Sequence, residues 1–214
     1  MGDTPNLRAE SGWDRIVLGT VSLGLPYGRR LGAAALGRQE VEAILGEAWS
    51  AGVRAFDTAE TYGSAAVRLA EWLHDRGRLR QVSVVTKVLP QAVTDTDRVE
   101  MACRRFSGAA SLVVLSHGVL DAPEFVRFTS LAQSYGAEAG ESVYTVVEVQ
   151  QAAEAGATRV QAPVNVLDTG QLDAAHNAGI SLDARSVYLQ GVLLNPPEVA
   201  ERRVVGAGMV AQAI

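Results

Sequence analysis

The sequence predicts a single α/β domain over residues 1–214, built as a shortened (β/α)8 barrel. Two observations carry this prediction. Short β-rich runs alternate with helical stretches from one end of the chain to the other, and no interdomain linker interrupts them. Such alternation is typical of a parallel sheet covered by helices. The predicted strands are 15–19, 54–57, 82–87, 111–116, 138–144, 159–162, 181–188 and 203–206.

The segments between these runs have helical periodicity. In 38–51 (RQEVEAILGEAWSA), apolar residues recur every three or four positions, which buries one face of a helix. Similar patterns predict helices at 65–73 and 146–155, the second capped by Thr145. Gly52, Gly156 and Gly179 each follow an alanine just before a strand, where glycine can end a helix in the left-handed conformation.

A closed barrel fits these units better than an open sheet. No GxGxxG motif follows the first strand, and about eight strands in one run favour closure. The segment between the seventh and eighth strands is short and contains Asn195-Pro196-Pro197, which leaves a turn or two of helix at 198–202. We therefore expect a TIM barrel that lacks most of the helix between strands seven and eight and most of the C-terminal region.

Composition and charge exclude several classes of function. The net charge of −5 disfavours nonspecific nucleic-acid binding, which needs a positive surface. No uninterrupted apolar run approaches the roughly 18–20 residues of a membrane span. The single cysteine, Cys103, has no internal disulfide partner, and no Cys/His pattern predicts a metal site. A cytoplasmic protein that acts on a small-molecule substrate is the expectation.

Four chemically active residues follow three successive strands. Asp57 ends the second predicted strand, Tyr62 lies in the loop behind it, Lys87 ends the third and His117 follows the fourth. Catalytic groups of (β/α)8 barrels lie at the carboxyl ends of strands. An isolated Asp–Lys pair is more often structural, but four such groups on consecutive strands favour a catalytic site.

The combination predicts an acid built on a tyrosine. A free phenol has a pKa of about 10, and a neighbouring ammonium is expected to lower it. Asp57 would hold Lys87 in place, and His117 would orient a substrate oxygen next to Tyr62. Such a group can protonate a carbonyl oxygen as negative charge develops on it.

These residues lie in motifs that resemble the aldo-keto reductase family. The segment GVRAFDTAETYG at 52–63 is similar to the family signature around its aspartate and tyrosine, and VVTKV and VVLSHG carry the matching lysine and histidine. LGTVSLGLPYG at 18–28 resembles bacterial members associated with sugar and envelope metabolism. GESVYT, RVQAPVNVLD and ARSVYLQGVLL resemble the family's fifth, sixth and seventh strand motifs.

The resemblance implies reduction of a carbonyl compound with NADPH. It implies that Tyr62 is the proton donor, that Lys87 and Asp57 tune it and that His117 orients the carbonyl. Further roles follow for residues around the cofactor. By this resemblance Ser142 and Gln161 bind the nicotinamide carboxamide, Tyr188 stacks on its ring, and Gly206 and Gly208 lie at the adenosine phosphate.

Two departures leave a second function open. The short segment before strand eight and the end of the sequence at Ile214 remove positions that grip the adenosine phosphate in the family. The chain could then be a cofactor-independent lyase, dehydratase, isomerase or cyclase, or, against the intact acid group, a catalytically inactive binding protein. Tyr27, after the first strand, is a candidate for the substrate pocket, and barrel surface left uncovered by helices would favour a homodimer.

Overall fold

The computed structural model describes residues 16–28, 34–93, 95–205 and 207–213. Within them, seven strands form one curled sheet in which every neighbouring pair is parallel and the order follows the chain. The strands are β1 (Val17–Gly19), β2 (Ala55–Asp57), β3 (Ser83–Val88), β4 (Ser111–Ser116), β5 (Glu138–Ser142), β6 (Arg159–Pro163) and β7 (Ser181–Arg185). The sheet confirms the shortened (β/α)8 architecture.

Helices follow the strands in regular alternation. They are α1 (Val21–Gly24), α2 (Arg38–Ser50), α3 (Ala65–Asp75), α4 (Thr96–Arg105), α5 (Ala122–Ser134), α6 (Val146–Glu154), α7 (Gly170–Ala178), α8 (Pro197–Arg203) and α9 (Ala207–Ala213). Short 3-10 turns occupy Leu79–Gln81, Pro90–Val93 and Leu189–Leu194. Among the described helices, none combines the length and the apolarity that crossing a lipid bilayer requires.

Local signals in the sequence explain several of these boundaries. The Thr145 hydroxyl accepts a hydrogen bond from the Glu148 amide at 3.2 Å, as expected of the cap of α6. Gly52, Gly156 and Gly179 have φ angles of 101°, 100° and 68°, which confirms their left-handed conformation at the helix ends.

The C-terminal part of the prediction is wrong in one respect. Arg203 ends α8, while Val204 and Val205 form a bend and a turn, so no eighth strand forms among the described residues. Strand seven ends at Arg185, three residues earlier than predicted, because the chain enters a left-handed conformation at Ser186 with a φ of 58°. In the described residues β7 pairs with β6 alone, and the sheet is not closed onto β1.

Side chains alternate between the two faces of the curled sheet. Val84 and Val114 belong to the large core between sheet and helices, whereas Val85, Val113 and Leu115 form a small cluster on the inner face. Lys87 shares the inner face with Val85 because two residues separate them. The inner face therefore changes from apolar to charged towards the carboxyl ends of the strands.

Candidate active site

The carboxyl ends of β2 and β3 hold a buried ion pair between Asp57 and Lys87. Lys87 is only 2% exposed. Its Nζ donates to an Asp57 carboxylate oxygen and to the Thr58 carbonyl oxygen, the latter at 3.2 Å. Burial lowers the pKa of Lys87, and the Asp57 carboxylate opposes that change. The charge of Lys87 is thus paired with Asp57.

A third side chain reaches this pair from the other side of the curl. Gln161, on β6, donates from Nε2 to the same Asp57 oxygen at 2.8 Å. Ser142, on β5, is the register partner of Gln161. The Ser142 hydroxyl and the Gln161 Oε1 atom are both buried and have no hydrogen-bond partner among the described residues. Two polar atoms on paired strands are therefore buried without a partner among the described residues.

The loop after β2 carries Tyr62 to the ion pair. The first residues of this loop continue to run beside β3, because the Glu60 amide donates a hydrogen bond to the Lys87 carbonyl oxygen at 2.9 Å. At the far end the loop packs against Gly24, where a Cβ would lie 2.0 Å from the Tyr62 carbonyl oxygen. The Tyr62 ring centroid lies 5.3 Å from Lys87 Nζ.

The ionisation of Tyr62 differs from the expectation. Burial, followed by the Asp57 carboxylate, raises the pKa of Tyr62 well above its usual value. The lowering expected from Lys87 is therefore wrong for this structure, because the ammonium is already paired with Asp57 and the ring is largely removed from water. Tyr62 holds its proton at neutral pH.

His117, in the loop after β4, lies at the same carboxyl-terminal edge of the sheet and has a hydrogen-bond partner, Tyr144. Its Nε2 is 2.9 Å from the Tyr144 hydroxyl oxygen, and the two rings are nearly parallel with centroids 6.0 Å apart. Burial, together with the positive charges of Lys87 and Arg185, lowers the pKa of His117. The imidazole is therefore neutral at pH 7.

Arg185 ends β7 and faces the same group. Its guanidinium lies 4.3 Å from the Tyr144 ring centroid and donates to the Val143 carbonyl oxygen at 3.1 Å. Arg185 lowers the pKa of Tyr27, whereas burial has the larger and opposite effect. Tyr27 therefore lies within electrostatic range of Arg185.

A buried carboxyl group lies on the helix-facing side of β5. Glu141 is fully buried, and its Oε1 accepts a hydrogen bond from the Leu120 amide at 2.8 Å. Leu120 belongs to the loop that also carries His117. Burial raises the pKa of Glu141 to about 7, against the opposing effect of the Leu120 amide. Its Oε2 has no hydrogen-bond partner in the described part of the chain.

The other residues predicted around the cofactor are Tyr188, Gly206 and Gly208. Tyr188 is 49% exposed and lies three residues beyond the end of β7. Gly206 lies outside the described residues. Gly208 is in the first turn of α9, and its amide donates to a Glu201 carboxylate oxygen at 2.9 Å. Neither Tyr188 nor Gly208 joins the group around Asp57.

Sequence reasoning missed Arg185, Tyr144 and Glu141. Arg185 was overlooked because strand seven was predicted to continue to residue 188, which made it an interior residue rather than a strand end. The alternation of Asp183 and Arg185 was the available signal, since both belong to one face of a strand. Glu141 gave no signal, because nothing in the sequence indicates a carboxyl group facing the helices.

Comparison with known proteins identifies the relatives of this fold. The aldo/keto reductase family model matches residues 15–111, whereas no curated protein sequence matches the chain. A protein assigned as an aldo-keto reductase from Pseudomonas aeruginosa superposes with a TM-score of 0.63 at 18% identity, covering 91% of this chain and 86% of its own.

Two further solved structures agree with this match. An aldo-keto reductase from a Medee basin deep-sea metagenome library gives a TM-score of 0.61 at 18% identity, over 92% of this chain and 75% of its own. An aldo/keto reductase from Brucella melitensis gives 0.62 at 15% identity, over 92% and 78%. At these identities the three similarities establish a shared fold.

Proposed function

We propose, since the aldo/keto reductase family model matches residues 15–111, that this chain reduces a carbonyl compound to an alcohol with NADPH. The observation that carries the proposal is the position of the Tyr62 ring, whose centroid lies 5.3 Å from Lys87 Nζ, beside the buried Asp57–Lys87 pair. A phenol that keeps its proton at neutral pH can give it to a carbonyl oxygen on which negative charge develops. General-acid catalysis of this kind contributes roughly 10²–10⁴-fold to a rate.

Lys87 and Asp57 support the proton transfer. As the Tyr62 proton leaves, negative charge grows on the phenol oxygen, and the Lys87 ammonium below the ring stabilises it. Asp57 fixes the position of Lys87, and Gln161 in turn fixes the carboxylate. The neutral His117 can orient the carbonyl towards Tyr62 when its Nε2 exchanges the Tyr144 hydroxyl for the substrate oxygen, because Nδ1 is buried.

The nicotinamide end of NADPH fits the buried atoms next to this group. A carboxamide offers both a donor and an acceptor, which match the unpaired Gln161 Oε1 and Ser142 hydroxyl. When bound, the nicotinamide would supply the hydride. The Gln161 side chain can face it only with Oε1, because its Nε2 is held by Asp57.

The C-terminal segment favours a second function, acid–base catalysis without a nicotinamide. The Gly208 amide, expected at the adenosine phosphate, already donates to the Glu201 carboxylate. A carboxylate at this point repels a phosphate rather than attracting it. A lyase, dehydratase, isomerase or cyclase would use Tyr62, Lys87 and His117 and would need no phosphate site.

Two measurements separate these functions. The native protein is titrated with NADPH by calorimetry, and NADPH oxidation is followed at 340 nm with a panel of aromatic and aliphatic aldehydes. Binding below millimolar NADPH together with aldehyde-dependent oxidation supports the reductase. Absence of binding at millimolar NADPH contradicts the reductase and leaves the acid–base enzyme.

The role of Tyr62 is tested with Tyr62→Phe and a matched control. The variant is expected to lower kcat at least 100-fold while NADPH affinity is unchanged. Tyr135→Phe removes a hydroxyl next to Glu100 and Arg104, far from the site, and should leave kcat unchanged. Full activity of Tyr62→Phe would refute the assignment of the acid.

A further inference from the structure

Arg185 holds a positive charge at the carboxyl-terminal edge of the curled sheet that no side chain in the described ranges neutralises. Lys87 is paired with Asp57. Asp183, two residues before Arg185, is paired with Arg159 through contacts of 2.9 and 3.2 Å. Among the residues that the structure describes, no carboxylate lies within 4.0 Å of the Arg185 guanidinium. The polar group therefore carries one excess positive charge.

Most hydrogen-bonding capacity of Arg185 is unused. A guanidinium has five N–H donors. One of the Arg185 donors binds the Val143 carbonyl oxygen, and the plane is supported by the Tyr144 ring. The Nε atom is buried and has no partner in the described ranges. A buried N–H without a hydrogen-bond partner is costly. The bond to Val143 therefore does not account for the whole arrangement of Arg185.

The surroundings of Arg185 are those of the reacting group. The guanidinium lies 4.3 Å from the Tyr144 ring centroid, and the Tyr144 hydroxyl oxygen lies 2.9 Å from His117 Nε2, so Arg185 and His117 share Tyr144 as a neighbour. In agreement with this, the positive charge of Arg185 contributes to the lowered pKa of His117. Tyr27 is subject to the same charge. An anion on Arg185 would therefore lie at the same edge of the sheet as His117 and the Asp57–Lys87 pair.

We propose that Arg185 binds a carboxylate of the substrate, so that the protein acts on carbonyl compounds that carry a carboxylate. The planar fork of a guanidinium matches the two oxygens of a carboxylate. The Tyr144 ring, whose centroid lies 4.3 Å from the guanidinium carbon, supports the fork on one side. This inference rests on the proposed carbonyl chemistry at Tyr62.

The test compares acids with their neutral counterparts. The substrates are 2-, 3- and 4-carboxybenzaldehyde, which vary the distance between charge and carbonyl, and the three corresponding methyl esters, with saturating NADPH. The native protein is expected to favour at least one acid over its ester in kcat/KM. Arg185→Gln should lower that acid-to-ester ratio by roughly 10–100-fold, as expected for a hydrogen bond to a charged group, with kcat/KM for the ester nearly unchanged.

Two variants complete the series. Arg185→Lys keeps the charge but loses the fork and should give an intermediate ratio. Arg127→Gln removes an exposed arginine on α5 and should leave the ratio unchanged. An equal loss for acid and ester in Arg185→Gln, or no loss at all, overturns the proposal. So does a higher KM for NADPH with an unchanged ratio, because the anion would then be a cofactor phosphate.

Failure of the reductase function is recognised separately. If the native protein oxidises no NADPH with any aldehyde or ester, that function fails, and the site itself is tested by calorimetric titration with the same acids and esters. Preferential binding of an acid that is lost in Arg185→Gln keeps the carboxylate site. Equal binding by the native protein and the variant overturns it.

Discussion

Glu141 makes the stability of the protein depend on pH in a direction opposite to that of most carboxyl groups. Its side chain is fully buried against the helices, and one carboxylate oxygen lacks a partner among the described residues. Burial raises its pKa from the ordinary 4.5 to about 7. Between these values the folded state binds the proton more tightly than the unfolded state. Stability from this group is therefore complete below about pH 4.5 and is lost as the pH rises through 7.

The magnitude follows from the two pKa values. At about 1.4 kcal/mol per pH unit, ionisation of Glu141 destabilises the fold by roughly 3 to 4 kcal/mol above pH 8. Most of this destabilisation, roughly 2 to 3 kcal/mol, should develop between pH 5 and pH 8. Glu141→Gln is the matched neutral side chain, since it keeps an oxygen for the Leu120 amide and resembles the protonated acid.

The assay is urea denaturation of both proteins at pH 5 and pH 8. Every other titrating group is common to both, so the difference between their two pH-dependent changes isolates Glu141. The variant should be the more stable protein at pH 8 and lose roughly 2 to 3 kcal/mol less than the native protein on going from pH 5 to pH 8. Equal losses in the two proteins would refute the reasoning.

Three further predictions concern stability and the site. Gly63→Ala should destabilise the protein more than Gly77→Ala in urea denaturation. Both glycines have φ near 60°, but a Cβ at Gly63 would lie 2.8 Å from a leucine methyl carbon, whereas a Cβ at Gly77 would meet no atom within 4 Å. Similar losses would contradict the steric argument. Thr145→Ala should cost about 1 kcal/mol of unfolding free energy through loss of the helix cap, and an unchanged midpoint would show that the cap contributes nothing. Arg185→Gln should raise the pKa of His117, measured by NMR, because a positive charge that lowers it is removed; an unchanged titration would mean that the two groups do not interact.

The sequence predicted the elements that depend on local pattern. Strand β4 begins and ends where expected, because an uninterrupted apolar run is bounded by serines on both sides. Thr145 was identified as a cap because its role requires only the next three residues. Asp57 and Lys87 were expected to meet because parallel strands end at one edge of the sheet, and they form an ion pair.

What failed depended on distance and on burial. The left-handed Ser186 that ends β7 has no marker in the sequence, so Arg185 was not recognised as a strand end. The pKa of Tyr62 was expected to fall because the sequence reveals a lysine nearby but not that this lysine is already paired. Strand eight failed because Val204 and Val205 favour a strand by composition, whereas the preceding residues continue α8 to Arg203.

The bond between Gln161 and Asp57 has a mechanical consequence. It joins β2 to β6, strands separated by three others in the sheet, across the hollow of the curl. In the described residues β7 is not paired with β1. The Gln161–Asp57 hydrogen bond is therefore a direct side-chain contact between the two halves of an open sheet. The same oxygen also holds Lys87. A substitution at Gln161 that breaks this hydrogen bond would loosen the contact between the two strands and would also free the Asp57 oxygen that holds Lys87. The curvature of the sheet and the position of Lys87 are therefore linked through Asp57 Oδ2.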